Sequence, residues 1–213
     1  MSIRDDVAAA ARRLAAEGLL VGTAGNVSAR DGDTIAVTGT GVVLGDCTAE
    51  QVSVVTHGGE AVEGTLLPTS ELDLHRDVYA TTNAAAVVHT HAPYATAVAC
   101  VLDELPVLHY QQLLLGGTVR VAPYATFGTP ELATVVRDAL AGRQAALMAN
   151  HGSVAVGASL ESAVENALLL EWLAALHHRA TALGTPRALT DEQQQEVVTQ
   201  AVKRSYGTTQ ENP

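Results

Sequence analysis

Two short apolar runs that end in histidine constrain this chain more than any other feature of it. Val87-Val88-His89-Thr90-His91 and Leu147-Met148-Ala149-Asn150-His151-Gly152 are each a few residues long and bounded by turn-forming residues. Runs of that length and composition read as strands buried on both faces. Burying them takes helices above and below a sheet. In an extended strand, residues i and i+2 point to the same side. His89 and His91 therefore share a face, and His151 has the same setting at the mouth of a buried strand.

Two rings held on one rigid strand can share a metal ion. Three neutral ring nitrogens with one open position are the layout of a catalytic zinc site, and imidazole also suits other divalent transition metals. An HxH pair also arises by chance, with both rings satisfying backbone groups, and spacing alone does not carry His151 to the other two.

The rest of the pattern alternates helix and strand without the regular spacing of a doubly wound sheet. Ser2 and Asp5 form a capping box ahead of a helix that Gly18 can end. Asn26 to Arg30 and Asp33 to Val37 read as strands around an Asp31-Gly32 turn. A short strand is expected over 52–55, a helix over 70–79, a buried strand over 84–91 and a helix over 93–102. Thr129-Pro130 starts a helix to about Leu140, and 145–149 is a buried strand. Ser159 caps a long helix to about Leu183, and Thr190 with Gln193 caps a last one ending near Tyr206. The expectation is one α/β domain over 1–207, with a central, largely antiparallel sheet covered by helices in three layers, and a frayed tail over 208–213.

Composition sets the limits. The 213 residues are 47% apolar and 16% charged, enough for a sizeable core. With 12 Lys+Arg against 23 Asp+Glu the formal net charge is −11, which argues against nucleic acid and anionic membrane as partners. Cys47 and Cys100 stand far apart, so neither a disulfide scaffold nor a thiolate site is expected, and a reducing cytoplasm fits. Residues 1–6 carry no signal-peptide pattern, and no apolar run reaches a membrane span. Only five Tyr, one Phe and one Trp are present. The core must be aliphatic and rich in alanine.

The remaining polar candidates each have an ordinary reading. Glu71 stands at a helix start, where a carboxylate suits free N–H groups. Gly25-Asn26, Thr38-Gly39 and Thr69-Ser70 are small-residue turns that can present donors to an anion, without Walker or dinucleotide spacing. His75, one helical turn after Glu71, is an ordinary helix residue or a supporting group. His57, His177 and His178 read as turn and surface residues, and His109 precedes Tyr110 in an apolar stretch.

Taken in order, these pieces resemble the class II aldolase/adducin family, and within it the branch of bacterial L-fuculose-phosphate aldolases. The matching stretches are Gly22-Thr23-Ala24-Gly25-Asn26-Val27-Ser28, Thr38-Gly39, Pro68-Thr69-Ser70-Glu71 and Val87-Val88-His89-Thr90-His91. After them come His109-Tyr110, Ala122-Pro123-Tyr124-Ala125-Thr126-Phe127-Gly128-Thr129, Asn150-His151-Gly152 and Tyr206-Gly207. The resemblance implies one Zn2+ per subunit on His89, His91 and His151, with Glu71 as acid/base and as a ligand when no substrate is bound. It implies a substrate phosphate among Gly25, Asn26, Thr38, Gly39, Thr69 and Ser70, with Phe127 lining the pocket. Tyr110 and Tyr206 would reach an active site between subunits of a homotetramer.

The activity implied is reversible cleavage of an L-fuculose 1-phosphate-like ketose 1-phosphate to dihydroxyacetone phosphate and an aldehyde, through a metal-stabilised enediolate. Composition agrees on one point: Lys203 is the only lysine, which disfavours a Schiff-base aldolase. The same resemblance leaves open a sugar-phosphate 4-epimerase, a dehydratase, or a deoxypentulose- or tetrulose-phosphate aldolase. A metal-free adducin-like scaffold would have lost the ligands that this chain keeps.

Overall fold

The computed structural model describes residues 2–204. The chain opens with α1 (Ile3–Ala16), capped through the Ser2/Asp5 box, then the hairpin β1 (Asn26–Asp31) and β2 (Thr34–Thr38). β3 (Val52–Thr56) and β4 (Ala61–Glu63) follow. Next come α2 (Leu72–Thr81), β5 (Ala86–Thr90), α3 (Pro93–Ala99) and β6 (Glu104–Leu105). A 3-10 segment, Tyr110–Leu115, leads into β7 (Val119–Ala122) and α4 (Pro130–Leu140). β8 (Ala145–Met148), β9 (Gly152–Gly157), α5 (Leu160–Leu183) and α6 (Asp191–Arg204) complete the chain.

Among the described residues the strands form one nine-stranded sheet in the order β4-β3-β2-β1-β5-β9-β8-β7-β6. Every pairing is antiparallel except β7 with β8. One apolar cluster joins the sheet to α1, α3 and α5, and a second joins its other face to α2 and α4. The result is a three-layer α/β sandwich of helices, sheet and helices. β5 is central and buried at all five positions. Ala163, Ala167, Leu170 and Ala174 make a buried stripe on α5 at helical spacing. Small side chains in that stripe let the helix lie close to the sheet.

Three expectations shift. The hairpin turn is Gly32-Asp33, because Asp31 pairs with Thr34. Gly32 takes φ +56 and Asp33 is not left-handed, which suits glycine first in a two-residue loop. β4, β6, β7 and β9 add strands beyond those expected, and β9 runs straight out of the His151 turn. Glu71 is the N-cap of α2 but makes no side-chain cap bond. Tyr206 and the tail over 208–213 lie outside the described residues.

Candidate metal centre and active site

Strand register assembles the site at one end of β1, β5 and β9. Asn26 pairs with His89 across β1 and β5, and Thr90 pairs with Ser153 across β5 and β9. His151 arrives from the three-residue turn between β8 and β9, where Met148 pairs with Gly152. In that turn Asn150 has φ +56, the sole left-handed non-glycine among the described residues. Asparagine tolerates that region better than most residues. Gly152 has a different reason: a Cβ there would stand 2.4 Å from the Thr90 carbonyl and 3.1 Å from the His91 ring. The three imidazoles close only around a residue with no side chain.

The ring centroids of His89, His91 and His151 lie 4.9 to 5.0 Å apart, and one nitrogen from each falls within 4.8 Å of the others. His89 Nδ1–H donates to the Ser153 carbonyl at 2.9 Å. Its Nε2 is thereby left with a free lone pair, 3.1 Å from His91 Nε2 and 3.1 Å from Glu71 Oε2. Glu71 Oε1 lies 3.4 Å from His151 Nε2, yet it is buried without a hydrogen-bond partner. Electron-rich atoms thus face one another at the focus of the site. A cation satisfies all of them: two nitrogens on a tetrahedral zinc would be about 3.3 Å apart. The donor set fits a divalent transition metal.

Electrostatics agree. For Glu71, burial pushes the carboxyl up, but the positive charge that His89 and His151 carry when protonated, together with the Asn26 N–H, outweighs it and holds the group well below the usual carboxylate range; a cation at the same focus would act in the same direction. Burial pulls His91 down to about 4 and also lowers His151, each pushed further down by the neighbouring histidines. Neutral imidazoles and an ionised carboxylate are the protonation states that metal ligation needs.

Beside the histidines opens a cleft of about 330 Å³ lined by Gly25, Asn26, Gly39, Thr69, Ser70 and Glu71, with His91 and His151 on one wall. Among the described residues no lysine or arginine lines it. Thr40, Tyr124 and Phe127 complete the rim, and both aromatics are exposed. Gly25 is left-handed at φ +96, and a Cβ there would meet the His89 carbonyl at 2.9 Å. Thr38 does not line the cleft: it is buried in β2, where its Oγ1 accepts from the Val27 N–H. Asn26 contributes differently from the expectation, since its Nδ2 donates to Glu71 Oε2 at 2.9 Å. Tyr110 lies on another surface, in a groove with Leu114, Val198 and Val202.

The class II aldolase and adducin N-terminal domain model matches residues 5–178. This chain belongs to the class II aldolase/adducin family. It is 36% identical over 200 residues to a 5-methylthioribulose-1-phosphate/5-deoxyribulose-1-phosphate aldolase from Rhodospirillum rubrum, covering 93% of this chain and 90% of that protein. It is 38% identical over 192 residues to the L-fuculose phosphate aldolase of Escherichia coli K12, covering 89% and 88%. A solved L-fuculose 1-phosphate aldolase superposes with a TM-score of 0.89 at 34% identity, covering 96% of each chain. Such class II aldolase relatives indicate a lyase. Among the described residues no helix is long and apolar enough to cross a membrane.

Several contributors to the site escape a reading of motifs. Ser153 acts through its carbonyl, which any residue could supply. Asn150 acts through its backbone. Thr40 enters the cleft where Thr38 was expected, because β2 ends one residue earlier than the loop that faces the cleft. Thr38 is instead turned toward β1, where its Oγ1 takes the Val27 N–H, and that partner could not be read from the turn motif.

Proposed function

We propose that this chain is a zinc-dependent aldolase that reversibly cleaves a ketose 1-phosphate to dihydroxyacetone phosphate and an aldehyde. The observation that carries this reading is the convergence of three imidazoles beside an ionised, buried Glu71 with one oxygen unpartnered. His89, His91 and His151 would hold a divalent ion, which would supply Lewis acidity for the negative charge that C–C cleavage leaves.

The chain's own residues do the rest. In the synthetic direction the ionised Glu71 takes a proton from the reacting carbon of dihydroxyacetone phosphate, and in the cleavage direction the carboxyl so protonated gives it back to that carbon. Gly25, Asn26, Gly39, Thr69 and Ser70 surround the phosphate, with the Thr69 and Ser70 hydroxyls as neutral donors, so the net charge of −11 does not bar a dianion. Thr38 supports this wall from behind through its bond to Val27. Phe127 and Tyr124 cover the aldehyde end. Tyr110 stands away from the cleft of its own chain. It and Tyr206 serve the site of a neighbouring subunit in a homotetramer, where either would handle the proton on the aldehyde oxygen.

A second reading concerns the sugar. Two exposed aromatics at the rim favour an aldehyde that ends in an apolar group, as in a 5-deoxy- or 5-methylthiopentulose 1-phosphate. A panel of ketose 1-phosphates, with dihydroxyacetone phosphate read by a coupled assay, tests both readings. Chelator-sensitive cleavage of at least one member is expected. No cleavage of any member by the zinc-loaded protein would refute the proposal.

A further inference from the structure

Behind the cleft, α2 and β1 carry polar side chains that interleave like the teeth of a zip. Glu71, His75 and Tyr79 stand four residues apart along the helix, and Asn26 and Ser28 stand two apart on the strand. Four helical residues rise about 6 Å and two strand residues about 6.7 Å, so the two series stay in step. The order in space is Glu71, Asn26, His75, Ser28, Tyr79. All five are buried.

Each link has one direction. Glu71 is ionised and only accepts, so Asn26 Nδ2 donates to it. Asn26 therefore presents Oδ1 to His75, and His75 Nε2–H donates there. Burial keeps His75 neutral, with its pKa pulled down to about 3. Its Nδ1 is then bare and accepts from Ser28 Oγ–H at 2.6 Å. Ser28 has spent its proton, so the Tyr79 hydroxyl donates to it at 2.7 Å. The charge on Glu71 thus dictates every proton position in the chain of bonds.

We propose that His75 is a positioning residue for Glu71, with Ser28 holding its tautomer and Tyr79 holding Ser28. Without the His75 N–H, the Asn26 amide is held only by its bond to the carboxylate it is meant to orient, and its Oδ1 is left buried without a donor, which favours turning over. An inverted amide sets Oδ1 against Glu71 Oε2, and the two oxygens repel. The carboxylate then leaves the orientation in which it meets the reacting carbon. His75 itself does not line the cleft and does not touch substrate. This inference rests on the reading of Glu71 as the acid/base.

The test uses full-length zinc-loaded protein and two readouts. In His75→Leu the donor is gone, and kcat for ketose 1-phosphate cleavage should fall about 10- to 100-fold, with KM within about twofold and zinc content unchanged. His75→Gln restores an N–H at nearly the same place and should recover kcat to within about threefold of the native value. Ser28→Ala, a smaller change, should lower kcat by about three- to tenfold and serves if His75→Leu fails to fold. Native kcat in a folded His75→Leu or Ser28→Ala protein overturns the proposal, as does a loss confined to KM. Long-range 1H–15N NMR of the native protein gives the second readout. It should find His75 protonated at Nε2 and bare at Nδ1, and the opposite tautomer overturns the proposal whatever the activity. A native protein with the expected tautomer that cleaves no ketose 1-phosphate would instead refute the aldolase reading.

Discussion

The end of the sheet that carries the histidines and the groove between the 3-10 segment and α6 are built on opposite terms. At the histidine end, side chains from β1, α2, β5 and the β8–β9 turn meet inside one chain, and nearly every polar atom has a partner. In the groove, Leu114, Val198 and Val202 are exposed, and α6 has no fully buried residue. The histidines and Glu71 of the first region are brought together by one chain's own fold. The second leaves an apolar surface open, beside the one tyrosine among the described residues for which a role in another subunit is proposed. Positions that require accuracy are set by strand register, while Tyr110 lies in a groove against an element with no fully buried residue.

The comparison breaks most sharply at the ligands. His91→Ala should remove zinc and activity together, a loss of about 4 kcal/mol in transition-state stabilisation or roughly 10³-fold in rate, measured by metal analysis and the coupled assay. Glu71→Gln should slow proton exchange on dihydroxyacetone phosphate by about 10²- to 10⁴-fold, while a phosphate-bearing inhibitor still binds. Turnover at the native rate would remove Glu71 from its role.

Smaller effects sharpen the contrast. Gly152→Ala should cost about 1–3 kcal/mol of stability, because its methyl meets the Thr90 carbonyl, and zinc affinity should fall with it in a competition titration. Acidification should weaken the metal-free protein in the same region. The folded-state pKa values of His75 and His91 are depressed by burial, so below about pH 6.5 the unfolded chain binds more protons, and stability falls as pH drops through the window down to about 4 and 3. His75 alone accounts for about 2 kcal/mol between pH 7 and pH 5, a shift of several degrees in the melting temperature. His75→Gln should flatten that dependence. By contrast, Val202→Asp in the groove should change subunit stability by less than about 0.5 kcal/mol, but should shift the oligomer toward smaller species in sedimentation.

The helix and sheet layers and the shared face of His89 and His91 were legible in the chain because they rest on periodicity and on residue types with few uses, whereas the approach of His151 to that pair was not written in spacing. His89 and His91 share a face for the reason that any i, i+2 pair does. Glu71 was harder to read. A carboxylate at a helix start ordinarily caps it, and only the long-range approach of Asn26 and His89 turns this one inward. The strands β4, β6, β7 and β9 do not show in the sequence because they are short or follow directly on a turn, and their pairing is decided by the neighbours the fold brings alongside them. The polar zip from Glu71 to Tyr79 was written in the spacing of two separate segments. Neither spacing has meaning until β1 and α2 are known to lie side by side. Composition and spacing read Tyr110 only as a tyrosine in an apolar stretch; its proposed role comes from the family resemblance, and within its own chain it lies away from the cleft.

Zinc K-edge X-ray absorption on the purified, active protein tests the central claim most directly. Three imidazole shells with nitrogen about 2.0–2.1 Å from a single stoichiometric zinc, completed by oxygen, are the expected result. A sulfur shell near 2.3 Å, or a spectrum with fewer than two imidazoles, would contradict it.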